Sequence, residues 1–70
     1  MKLLLIEDEL ALSEALSSLL RAAGYAVDAV ALLRHADAAI QVSRYDALLL
    51  DLYLPDGDGL SWLRRWRAAG

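Results

Sequence analysis

The sequence predicts an α/β fold in the order β-α-β-α-β-α, and three observations carry that reading. Two short apolar runs, residues 3–6 (Leu-Leu-Leu-Ile) and 47–50 (Ala-Leu-Leu-Leu), show no alternation, as strands covered on both faces do. Each run ends in carboxylates: Glu7 and Asp8 after the first, Asp51 after the second. Between and after the runs, apolar residues recur at helical spacing. Strands alternating with helices imply a parallel sheet with right-handed crossovers. In such open sheets ligands sit just beyond the carboxyl ends of the strands, where these acids fall.

Seventy residues allow one small domain. An apolar fraction of 59% with 24% charged residues describes a packed core, not a disordered tail. Without cysteine there is neither a disulfide framework nor a thiolate metal site, which fits a cytoplasmic setting. The apolar opening is too short for a signal peptide and meets Glu7-Asp8-Glu9, and no run approaches membrane-spanning length. A net charge of −3 argues against nucleic-acid binding by this segment. Arg64, Arg65 and Arg67 around Trp66 read as a solvated helix face with the tryptophans turned to the core.

After the first strand the period changes. Leu12, Leu16, Leu19, Leu20 and Ala23 form one helical stripe, with Ser13, Glu14, Ser17 and Arg21 off it. Asp8 and Glu9 suit the helix amino end, and Gly24 suits a left-handed C′ position. Residues 25–31 alternate around Val27 and Val30. Asp28 inside the run predicts partial exposure at a sheet edge. Residues 32–42 read as a second helix, with Leu33, Ala36, Ala39 and Ile40 inward and Arg34 and His35 toward water. The sole histidine, His35, has no partner nearby in sequence and is read as a surface residue. Asp46 precedes the next strand with no chemical role. Pro55, Gly57 and Gly59 mark a loop. Asp58 caps a third helix running to about Ala68, on which Leu60, Trp62, Leu63 and Trp66 share helical spacing. Asp56 reads as a solvated loop acid.

If the two apolar strands are parallel neighbours, Glu7, Asp8 and Asp51 converge at one sheet edge. Three carboxylates in one place repel, and a hard divalent cation such as Mg²⁺ relieves that repulsion. A carboxylate can also accept a phosphoryl group as nucleophile while its neighbours hold the metal. The competing reading is that these acids merely end strands and cap helices. A calcium loop from Asp56 fails because Leu60 stands where an oxygen ligand belongs. An Asp-x-Asp phosphatase site from Asp51 fails at Tyr53. A hydrolase lacks a nameable general base or nucleophile pair.

The pieces Leu3-Leu4-Leu5-Ile6-Glu7-Asp8-Glu9, Tyr45-Asp46-Ala47-Leu48-Leu49-Leu50-Asp51-Leu52 and Leu54-Pro55-Asp56-Gly57-Asp58-Gly59-Leu60 together resemble a bacterial two-component response-regulator receiver domain. The Glu-Asp pair looks like the branch that carries a winged-helix DNA-binding output domain. The resemblance implies a flavodoxin-like parallel sheet, here cut to β-α-β-α-β-α with strand order 2-1-3. It implies Asp51 as phosphoacceptor for a sensor histidine kinase. It also implies Mg²⁺ held by Asp8, Asp51, the backbone carbonyl of Tyr53 and, directly or through water, Glu7. The Tyr53 side chain matches a variable rim position, and Pro55 and Gly59 match the site loop. Such a protein is a regulatory phosphoacceptor rather than an enzyme, and it contacts DNA only through its output domain.

Residues 1–70 match the amino-terminal half of such a domain. The family's hydroxyl residue after strand four and lysine after strand five have no counterpart among them. The expectation is therefore weak phosphorylation of this segment alone. A second reading is a self-associating fragment. Residues 47–50, mid-sheet in the family order, would expose an open edge that pairs across a two-fold axis into a sheet of order 2-1-3-3-1-2.

Overall fold

The computed structural model describes residues 1–69. The strand β1 (Lys2–Ile6) leads into α1 (Leu10–Ala22), then β2 (Ala26–Val30), α2 (Leu33–Val42) and β3 (Ala47–Leu50). Two short strands, β4 (Tyr53–Leu54) and β5 (Gly57–Asp58), precede α3 (Gly59–Ala68). The first three strands form a parallel sheet of order β2-β1-β3, with Leu4 opposite both Asp28 and Leu48, and Ile6 opposite Val30 and Leu50. The expected order 2-1-3 is thus observed. β4 and β5 pair antiparallel into a tight hairpin that sequence reading took as plain loop. Two-residue strands are too short to show a period.

Successive residues of β1 point to opposite faces. Leu4 and Ile6 join Leu33, Ala36, Leu54 and Trp62 in one buried cluster, which places α2, the hairpin and α3 on that face. Leu3 and Leu5 are buried toward the other face, where Leu16 of α1 and Leu49 of β3 help line a groove of about 290 Å³. Trp62 is 1% exposed, and its Nε1 donates to Asp37 Oδ1 at 2.7 Å, tying α3 to α2. Arg64, Arg65 and Arg67 face water, as do Arg34 and His35.

α1 begins as its acids suggest and ends as its glycine suggests. Glu9 is the N-cap, its Oε2 accepting the Leu12 N–H at 3.0 Å. At the other end Gly24 takes a φ of 99°, its N–H donating to Arg21 O while the Tyr25 N–H reaches Leu20 O. That is a Schellman closure, which satisfies two carbonyls of the last turn.

The face α1 presents is not the expected one. Ser13 and Ser17 are buried and Leu16 and Leu20 half-buried, whereas Leu12, Leu19 and Ala23 are exposed. Residues 13, 16, 17 and 20 form a proper i, i+3, i+4, i+7 stripe. Small serine side chains on that stripe let the helix lie close to the sheet, with Leu16 and Leu20 beside them and Leu12 and Leu19 exposed. Leu60 of α3 is also exposed, because it occupies the first turn, beside the hairpin. β3 is covered less fully than its composition suggests: Leu49 is 41% exposed, and its outer edge has no strand partner among the described residues.

Candidate functional site: an acidic cluster at the sheet edge

The parallel ladder continues one residue past each strand and brings the acids together. The Glu7 N–H donates to Val30 O and the Asp51 N–H to Ile6 O, both at 3.0 Å. Glu7 and Asp51 therefore stand side by side at the carboxyl end of the sheet, with Asp8 next in the chain. Ligand oxygens of Glu7, Asp8 and Asp51 lie within 4.8 Å of one another.

Backbone donors hold two of the three acids. Glu7 Oε2 accepts the Glu9 N–H at 3.1 Å, and Asp51 Oδ1 accepts the Tyr53 N–H at 3.0 Å. The second bond folds the chain after β3 into a turn and keeps the Tyr53 backbone beside Asp51. The Tyr53 side chain is 88% exposed at the rim. The Glu9 N–H pulls the Glu7 pKa down, but burial and the neighbouring Asp8 and Asp51 carboxyls outweigh it, and the net shift is upward. Among the described residues the ion pair found, Lys2 with Asp28, is at the opposite end of β1, and none joins a Lys or Arg to the three acids. Hard oxygen ligands, surplus negative charge and no counter-ion form a donor set suited to a divalent cation.

Glycine shapes the loop behind the cluster. A Cβ on buried Gly59 would lie 2.9 Å from Leu52 Cα and 3.0 Å from Asp51 O, contacts no side chain tolerates. Its N–H donates to Leu52 O at 3.2 Å, closing the hairpin under Asp51. Asp58 then caps α3, accepting the Leu60 N–H at 3.0 Å and the Ser61 hydroxyl at 2.8 Å.

Two acids read as bland have structural partners. Asp56 is exposed but accepts the Leu33 and Arg34 N–H groups, at 2.9 and 3.1 Å, and so caps α2 from the hairpin. Asp46 does precede β3, and its Oδ2 accepts the Lys2 N–H at 2.7 Å. Both contacts span more than twenty residues, so no local pattern announces them.

The response regulator receiver domain model matches residues 3–70. The transcriptional regulatory protein PmrA of Pectobacterium parmentieri is 48% identical over 67 residues, covering 96% of this chain and 30% of PmrA. The CheY-like receiver domain from Methylobacillus flagellatus superposes with a TM-score of 0.92 at 35% identity, over 97% of this chain and 58% of that one. The response regulator TrrA of Thermotoga maritima, solved with Mg²⁺-BeF, gives 0.91 at 26% identity, over 97% and 59%. TrrA has also been solved with the histidine kinase ThkA, at 0.92 and 26% identity over 99% and 60%. The chain spans about a third of the length of the curated relatives it matches. With the parallel sheet, the acidic edge and a family match that runs nearly end to end, the chain belongs to the response regulator receiver domain family.

Proposed function

We propose that this chain is the phosphoacceptor part of a two-component response regulator, and that Asp51 accepts the phosphoryl group. The observation that carries the reading is the convergence of Glu7, Asp8 and Asp51 at the carboxyl edge of the sheet, within 4.8 Å and, among the described residues, without a basic partner. In the proposed reaction an Asp51 carboxylate oxygen attacks phosphorus of a phosphohistidine on a sensor kinase. The O–P bond forms as the P–N bond breaks, and the imidazole leaves. Asp8, Asp51, the Tyr53 carbonyl and Glu7 would hold Mg²⁺. When bound, the ion supplies positive charge to the acids and to the phosphoryl oxygens. The Tyr53 N–H fixes one Asp51 oxygen and so orients the carboxylate. Glu7 and Asp51 are half-buried, and their backbone donors limit the ways these two carboxylates can turn away, while Asp8 is exposed.

The kinase reading is supported by the TrrA–ThkA complex, and the output reading by relatives named as transcriptional regulators. On that basis residues 1–70 form the amino-terminal half of a receiver domain in the cytoplasm, with DNA contacted through a separate output domain. No helix among the described residues is long and apolar enough to cross a membrane. A second reading, self-association of a polypeptide limited to these residues, is favoured by the free β3 edge and exposed Leu49.

Thermal melts test the metal site. A ligand that binds only the folded state stabilises it by about 1.4 kcal/mol per tenfold excess over Kd. Mg²⁺ should raise Tm in the wild type. Asp8→Asn should raise Tm without metal, by relieving repulsion, and shrink the Mg²⁺ shift. Equal Mg²⁺ shifts in both proteins would refute the assignment.

A further inference from the structure

We infer that Asp56 is a positioning residue for the acidic site: it clamps the hairpin to the amino end of α2 and so couples cation binding at Asp51 to α2. The inference rests on the Mg²⁺ reading above and extends it to a residue outside the ligand set.

α2 lacks a cap of its own. Its N-cap is Leu32, which offers no side-chain acceptor, and no acid stands in its first turn. The first N–H groups of a helix need partners from elsewhere. Asp56 supplies them from the hairpin, one oxygen to Leu33 N–H at 2.9 Å and the other to Arg34 N–H at 3.1 Å. A second contact lies beside the first. A Cβ on Gly57 would come within 2.9 Å of Leu33 Cδ1, so the hairpin backbone rests against that side chain. Leu33 is itself part of the buried core.

The same hairpin begins at Tyr53, whose N–H holds Asp51 and whose carbonyl is the proposed backbone ligand. Tyr53 pairs with Asp58 and Leu54 with Gly57, so β4 and β5 move together. Freeing Asp56 lets the hairpin leave the arrangement in which Tyr53 sits beside Asp51. Apparent affinity then falls by the fraction of time the competent arrangement is lost. Linkage makes the effect reciprocal: a cation that favours the clamped hairpin must also tighten the clamp on α2.

Two measurements on the intact protein test this. In the first, amide hydrogen exchange is followed with and without Mg²⁺. Leu33 and Arg34 should exchange at least about fivefold more slowly at saturation, the lower end of ordinary coupling between sites. Ser43, at the far end of α2, should change little. In the second, the Mg²⁺ Kd is measured calorimetrically. Asp56→Ala should weaken binding at least about fivefold. Asp56→Asn keeps one acceptor oxygen, enough for one of the two N–H groups, and should lose less affinity than Asp56→Ala. Ala38→Gly weakens α2 at an exposed position away from the hairpin and should leave Kd unchanged. Unchanged Leu33 and Arg34 exchange, or wild-type affinity in Asp56→Ala, overturns the coupling while leaving the metal site standing. Equal losses in Asp56→Asn and Asp56→Ala would show that charge acts at a distance, and overturn the clamp. No Mg²⁺ binding by the wild type would overturn the metal site and the coupling together.

Discussion

Tyr45 donates its phenol proton to Asp28 Oδ2 at 2.6 Å, and Lys2 Nζ lies 3.5 Å from the same oxygen and 5.3 Å from the Tyr45 ring centroid. This trio links β1, β2 and the segment before β3, away from the acids. The phenol hydrogen bond, helped by the Lys2 and Arg21 charges, holds the Asp28 carboxyl below its ordinary value of 3.8. A lowered folded-state value means that Asp28 stabilises the fold above the ordinary value, and that this stabilisation is lost as pH falls through the lowered one. Tyr45→Phe should therefore cost stability near neutral pH, and its deficit in urea midpoint should shrink as pH falls from about 5 to about 3. A deficit that stays constant would show that Asp28 does not titrate against Tyr45. At this scale the convergence of Glu7, Asp8 and Asp51 is legible in the sequence, because the acids follow apolar strands directly. Not legible is the work of Asp46 and Asp56, whose partners Lys2, Leu33 and Arg34 lie far away in the chain.

Helix boundaries were largely legible, because capping chemistry is local. Glu9, Gly24 and Asp58 each bond within a few residues of their own helix end. Helix orientation was less so. The apolar stripe of α1 suggested leucines against the sheet, yet the sheet receives Ser13 and Ser17, and Leu19 is 69% exposed. Which face is buried depends on how closely a helix can approach the strands, and periodicity carries no such distance. The arrangement has a cost at Ser17, which is 5% exposed and whose Oγ lacks a hydrogen-bond partner. Ser17→Ala removes an unsatisfied hydroxyl and adds a better helix former, and should stabilise the protein by about 1 kcal/mol. Urea denaturation measures this. A loss of stability would mean that the hydroxyl has a partner, such as a buried water.

The strand order of the whole molecule could not come from local pattern. It follows instead from the family resemblance carried by acids and glycines in register, and the observed β2-β1-β3 sheet agrees. The same order leaves β3 with a free edge among the described residues, beside exposed Leu49. An edge without Lys, Pro or a bulge invites pairing. A polypeptide limited to residues 1–70 should therefore self-associate in sedimentation equilibrium, and Leu49→Lys should weaken that association. A folded monomer at high concentration would contradict the edge reading. The central claim, that the acidic edge makes Asp51 a phosphoacceptor, is tested most directly by mass spectrometry after treating the intact protein with a small acyl phosphate and Mg²⁺. The account predicts one added phosphoryl group on Asp51, lost on chelation and absent in Asp51→Ala. Residues 1–70 alone should label weakly, since transfer depends on charge stabilisation around the phosphoryl group. Undiminished labelling of Asp51→Ala, or a phosphoryl group mapped to another residue, would contradict it.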